Sequence, residues 1–277
     1  MVTQRQRRLA APGCRTAWPL ALACTGAALS PGLAQPAEVA TYACDFRHSL
    51  NECGFAEQSR SAGHAALAVE AGVPAVRLRT QPGDTDVAGS GMAERADLTL
   101  SPSATGCRQG AEQWWAHSVL FPDDYAPPVA RSDIPWPWGV VFDFHQTGAQ
   151  GQPNFQIDVT GTPPEIGISI SGGPVVSDGS PGSPTRHWHV GPIVRNHWYR
   201  FVYHVRWSAA ADGWFTAWLD DRPVLDYRGP TLYAGQGCYL KLANYHTPVG
   251  RSVSIVHANV IRGATRGSLA IPDSPAQ

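Results

Sequence analysis

The sequence predicts an all-β domain, a sandwich or jelly roll whose concave face carries a polar groove. Three observations predict it. Strand-like runs recur between clusters of Pro, Gly, Asp and Ser. Almost no segment shows the apolar spacing of a helix. On several runs the face turned away from the core carries Arg, His, Lys and Tyr, whereas a merely solvated face shows mostly Glu, Lys, Ser and Thr.

The runs follow in order. Ala75–Leu78 opens the series. Arg95–Leu100 alternates, with Ala96, Leu98 and Leu100 facing the core and Arg95, Asp97 and Thr99 opposite. Trp114–Phe121 is followed by Gly139–His145, where Phe142 and Phe144 point inward and Asp143 and His145 outward. In Asn154–Thr160 the core takes Phe155, Ile157 and Val159, leaving Asn154, Gln156 and Asp158 on the polar face. Glu165–Ser171 comes next, and the Gly-, Ser- and Pro-rich stretch from Ser171 to Thr185 reads as a long loop at the rim of a site. His197–Trp207, Trp214–Leu219 and Pro223–Tyr227 follow, the last two joined by a hairpin turn at Asp220-Asp221-Arg222. Cys238–Tyr245 places Tyr239, Lys241, Ala243 and Tyr245 on one face and Leu240, Leu242 and Asn244 on the other, a pattern that His246 continues. Ser252–Ile261 closes the series. Ten or more strands in about 240 residues fit one sandwich.

Residues 1–34 read as an export signal. Arg5, Arg7, Arg8 and Arg15 form a basic front, Thr16 to Leu33 is mostly small and apolar, and Gly32-Leu33-Ala34 predicts cleavage before Gln35. Arg7-Arg8 and Cys24 fit twin-arginine and lipoprotein patterns only loosely. The remainder, 35–277, is expected to be one domain, secreted or periplasmic, acting as a monomer. Removing four arginines leaves a formal charge of −5, which argues against nucleic-acid partners and against a grip on densely sulphated chains. No later stretch approaches about 18 consecutive apolar residues, so no membrane contact beyond the export signal is expected. Four cysteines remain, Cys44, Cys53, Cys107 and Cys238, which allow three pairings. Cys44 and Cys53 flank a short loop, which favours Cys44–Cys53 with Cys107–Cys238. His187 and His189 share a face but lack an evident third metal ligand. Asp123-Asp124 and Asp220-Asp221 look like turn residues rather than Ca²⁺ ligands. No metal site and no required cofactor is expected, and structural Ca²⁺ is not indicated.

The chain has a single lysine, Lys241, against twenty arginines. A compact, rotatable ammonium retained on one strand with Tyr245, roughly 13 Å away at about 3.3 Å per residue, marks a candidate site. Tyr239-Leu-Lys241-Leu-Ala-Asn-Tyr245 resembles the Tyr-Phe-Lys-x-Gly-x-Tyr strand of jelly-roll polysaccharide lyases. Glu94-Arg95-Ala-Asp97-Leu resembles their Arg-x-Glu-Leu strand, and Phe142-Asp-Phe-His145-Gln146 the strand that bears a catalytic histidine. The segments Trp115–Tyr125 and Trp198–Trp207 are similar to the scaffold of the heparin lyase I-like and glucuronan lyase branch, relatives of the alginate lyases. The likeness runs from about Cys44 to Arg262.

The resemblance implies a concanavalin A-like sandwich and an acidic, uronate-containing polysaccharide as substrate. β-Elimination beside a uronate removes the weakly acidic C5 proton, so the C5 carboxylate must be neutralised while a base and an acid act on C5 and O4. By resemblance, His145 and Tyr245 carry the protons, Arg95 with a nearby amide holds the carboxylate, and Lys241 orients or tunes Tyr245. Gln146, Gln156, Asn154, His117 and Tyr239 are expected to bind substrate. Asp143 departs from the glutamine found in related alginate lyases, and a carboxylate there would repel the substrate's own. A non-catalytic carbohydrate-binding module would need the aromatic face but no proton-transfer pair. A glycoside hydrolase would need paired carboxylates, and the seven glutamates here are scattered.

Overall fold

Alternation along the chain resolves into two antiparallel sheets stacked face to face. The structure, a computed structural model, describes residues 39–270 except 86, 88–90, 150, 162 and 176–184. The export signal, its cleavage point and the middle of the Ser171–Thr185 loop lie outside the described residues.

The first strands are β1 (Tyr42–Cys44), β2 (Phe55–Ser59), β3 (Ala65–Glu70), β4 (Val73–Thr80) and β5 (Glu94–Leu100). A single helical turn, α1 (Pro102–Thr105), precedes β6 (Glu112–Leu120), β7 (Gly139–Gln146), β8 (Phe155–Thr160), β9 (Glu165–Ile170) and β10 (Arg186–Pro192). The last are β11 (Trp198–Arg206), β12 (Trp214–Leu219), β13 (Arg222–Arg228), β14 (Cys238–His246) and β15 (Val253–Gly263). The outer sheet runs β13-β12-β11-β6-β15-β4-β3, with β1 added to β15; the groove sheet runs β10-β9-β8-β7-β14-β5-β2. The sequence reading missed β1, β2, β3 and β10.

The inward faces interlock around large, fully buried aromatics. Phe142, Phe144 and Phe155 from the groove sheet meet Tyr203, Trp207 and Phe215 from the outer sheet. Burial of this many rings supplies the main drive for stacking the sheets. His117 belongs to this core. It lies on β6 in the outer sheet, 1% exposed, with its ring 4.1 Å from Phe142 and its Nδ1 3.1 Å from the Tyr203 hydroxyl. Its expected place in the groove is therefore corrected: with Trp115 and Phe121 it lies on the inward face of its run.

Both expected disulfides form, Cys44–Cys53 and Cys107–Cys238. The second fastens the beginning of β14 to the segment after α1. Between β12 and β13, Asp220 and Asp221 both adopt left-handed backbone (φ 49° and 60°), the conformation of a tight hairpin turn whose twist matches its strands.

Candidate active site

Three strands far apart in sequence build the floor of the groove, with β14 lying between β7 and β5. Their register sets the side chains in rows across the sheet. One row runs Thr99, Lys241, Asp143, Gln156, Ser169, His187 over five strand pairings. Tyr239 stands opposite His145 on one side of that row, and Tyr245 opposite Arg95 on the other. A β-bulge between Leu242 and Tyr245 interrupts the pairing with β7. Such bulges re-aim side chains beside active sites, and this one lies immediately before Tyr245.

The resulting cavity is about 490 Å³ and is lined by Arg95, Asp143, His145, Gln156, Lys241 and Tyr245, among others. A hollow of about 440 Å³ shares Gln152, Pro153, Gln156 and Ser169 with it and reaches Ser171, and a separate one of about 420 Å³ is lined by Tyr239, Thr99 and Gln58. The cleft is thus extended toward Ser171.

Arg95 and Lys241 are both nearly inaccessible and share Asp97: Arg95 Nε lies 3.3 Å and Lys241 Nζ 3.6 Å from its Oδ2. The Arg95 guanidinium also lies 3.8 Å from the centre of the Tyr245 ring, and Trp138 meets that ring edge-on at 4.8 Å. Burial raises the Tyr245 hydroxyl above the ordinary tyrosine range, and Arg95 opposes the rise. The expected tuning of Tyr245 by Lys241 is corrected here. Arg95 is the cation at the tyrosine, while Lys241 serves the carboxylates and sits 5.7 Å from the Tyr239 ring centre.

His145 is pushed down to about 4, chiefly by burial, so its imidazole is neutral near pH 7. Its Nδ1 lies 3.0 Å from the Gln146 carbonyl. A carbonyl only accepts, so Nδ1 carries the hydrogen and the lone pair is left on Nε2. Burial raises Asp97 to about 6 and Asp143 to about 7, with Lys241 and then Arg95 opposing both.

The polysaccharide lyase family profile matches residues 54–260, most of the chain. The chain belongs to the polysaccharide lyase family. The lyase is similar in fold to an endo-β-1,4-glucuronan lyase from the fungus Trichoderma reesei, at TM-score 0.60 and 13% identity, covering 82% of this chain and 96% of that one. It is also similar to the alginate lyase Aly36B in complex with an alginate trisaccharide, at TM-score 0.52 and 10% identity, covering 83% of this chain and 100% of that one. No curated protein matches at a significant level.

Two further expectations for the lyase are corrected. Gln146 ends β7 with its side chain turned away from the groove and donating to the Gly151 carbonyl, and it is 4% exposed. Asn154 precedes β8 and is buried, with Nδ2 3.4 Å from the Ser171 carbonyl. Both sit at strand ends, where side chains serve the turn rather than the face. Gln156 does line the groove, and Tyr239 stands beside His145 with ring centres 5.0 Å apart. Among the tryptophans, Trp115 is core, and Trp188 packs partly buried against that core. Trp214 lies on the outer sheet under Arg206 and Arg228. The groove lining also includes residues that the sequence did not assign to the site, among them Trp138, Asp158 and His187. Asp158 accepts from Ser169 and pairs with His187 at 3.0 Å. Its face was legible from the alternation of β8, but its partners lie on strands that alternation cannot align.

Proposed function

We propose that the lyase is exported and cleaves a uronate-containing polysaccharide by β-elimination in this groove, with a glucuronan- or alginate-like chain preferred to a heparin-like one. His145 Nε2 takes the C5 proton. The electron pair forms the C4–C5 double bond, the C4–O4 bond breaks, and the Tyr245 hydroxyl protonates the departing O4. The phenolate left on Tyr245 is stabilised by Arg95 until solvent returns the proton, and His145 gives up the C5 proton to solvent. Lys241 and the Gln156 amide neutralise the C5 carboxylate as the enolate develops. Protein side chains carry every step, so the proposal calls for no cofactor. The net charge of −5 on the exported chain supports the substrate preference.

The observation that carries this reading is the placement of a neutral imidazole and a protonated tyrosine on either side of a row containing a buried ammonium. A binding module has no use for that arrangement.

The test is to incubate the purified protein with glucuronan, alginate and heparin and follow ultraviolet absorbance and reducing ends together. Elimination raises both, with the faster rise on glucuronan or alginate. New reducing ends without absorbance would mean hydrolysis and would overturn the proposal.

A further inference from the structure

Asp143 takes no part in the reaction as outlined, yet it occupies the middle of the groove floor. It is paired in register with Lys241 on β14 and Gln156 on β8, the two groups assigned to the substrate's carboxylate. An ionised side chain between them would repel that carboxylate and cancel the neutralisation that elimination requires. Its surroundings are also poor for a charge. Asp143 is 3% exposed, and its Oδ1 is buried without a hydrogen-bond partner. Buried ionised carboxylates ordinarily collect several donors. The local charge balance points the same way. Lys241 and Arg95 already face one second buried acid, Asp97, so a bound uronate brings a third carboxylate to two cations. One proton held among the three restores the match.

We infer that Asp143 works as a neutral carboxylic acid whose O–H donates a hydrogen bond to the C5 carboxylate of the substrate, in the role an amide would otherwise fill. The inference rests on the uronate reading given above. The proton stays on Asp143 through turnover. Its hydrogen bond strengthens as charge builds on the substrate carboxylate and relaxes when the double bond forms, the same logic by which other enzymes keep an acid protonated in an apolar site. Burial raises Asp143 to about 7, and Lys241 and Arg95 oppose it. The ionisable groups around it are Lys241, Tyr239 and Tyr245 from β14, Arg95 and Asp97 from β5, His145 from β7 itself, Asp158 from β8 and His187 from β10. His145 is already neutral, and both tyrosines lie above the ordinary tyrosine range. Asp97, raised to about 6, gives up its proton before Asp143, so loss of the Asp143 proton sets the alkaline limb.

The experiment compares wild type, Asp143→Asn and Asp143→Ala over about pH 5 to 9, measuring kcat/KM, melting temperature and affinity for a uronate oligosaccharide. Wild-type kcat/KM and affinity should both fall above about pH 7. Asp143→Asn, whose amide donates without titrating, should keep at least about a tenth of the wild-type rate at pH 6 and move the alkaline limb up by about one pH unit or more. Asp143→Ala should lose about 10²-fold, the usual cost of one such donor. If Asp143→Asn melts like wild type yet loses as much as Asp143→Ala at every pH, the side chain acts as a carboxylate and the inference is overturned. If wild type makes no unsaturated product from any uronate polymer, the elimination reading fails separately. The binding measurement then decides alone, and an affinity that is flat from about pH 6 to 8 overturns the inference.

Discussion

Tyr245 is held on three sides: its ring lies under the Arg95 guanidinium, against the edge of Trp138, and directly after the bulge in β14. Replacing it by phenylalanine keeps the ring and its packing and removes the hydroxyl, with its transferable proton and its hydrogen bond from Arg95. Tyr245→Phe should cut turnover by about 10²–10⁴-fold while the melting temperature stays within a degree or two; a variant that keeps most of the wild-type rate would refute the assigned role. At this scale the sequence was legible as faces and blind to neighbours. A period of two tells which side of a sheet Arg95, Asp143, His145, Lys241 and Tyr245 share. It does not tell that Arg95 rather than Lys241 stands opposite Tyr245, because that depends on the register of β5 against β14, strands nearly 140 residues apart. Gln146, Asn154 and His117 show the matching failures: two stand where alternation stops, and the third followed Trp115 and Phe121 inward.

Among elements, the central strands were legible and the margins were not. β2, β3 and β10 are sheet edges. Edge strands bury little: Arg186–Pro192 lacks the dense apolar pattern that announces a strand, and Ala65–Glu70 is apolar but half alanine, a residue depleted in strands, with Leu67 and Val69 left exposed. The hairpin at Asp220-Asp221 was readable because few residue types tolerate left-handed backbone. The cysteine pairing was readable from loop length. The two bridges should differ in worth, because Cys107–Cys238 closes a separation of 131 residues and Cys44–Cys53 one of only 9. Losing a native disulfide typically costs about 2–5 kcal/mol, more for longer loops. The double serine variant of Cys107 and Cys238 should therefore lower the melting temperature more than that of Cys44 and Cys53, as calorimetry would show. The opposite order would mean that β14 is held at its start by packing alone.

For the whole molecule, the sandwich was legible and the polar contents of its core were not. His117 and His257 lie between the sheets with ring centres 6.3 Å apart. Burial holds His117 well below the ordinary histidine range and His257 down to about 3. A histidine whose folded pKa is depressed contributes stability in full above its unfolded value of about 6.5 and loses it as pH falls, at about 1.4 kcal/mol per pH unit for one proton. Asp97 and Asp143, being raised, act in the opposite sense between about pH 4 and 7. His257→Gln keeps a donor and removes the titration, so chemical denaturation from pH 6 to 4 should show a slope shallower by about one proton. An unaltered slope would mean that His257 is not held neutral in the fold.

The strand that carries Lys241 and Tyr245 is also bolted to the opposite sheet. Asn244 donates to the carbonyls of Leu78 and Val253, His246 accepts from Thr80, and His257 donates to the carbonyl of Ala243. A slip of one residue would turn Asn244 into the groove and Tyr245 into the core, and every one of these bolts forbids it. The floor is therefore a fixed stage, and novelty has to enter from the rim. An engineer wishing to redirect this enzyme to another polymer would graft loops around β7, β8 and β10 and leave β14 untouched. Natural divergence faces the same asymmetry, in which taste can drift while the chemistry stays put.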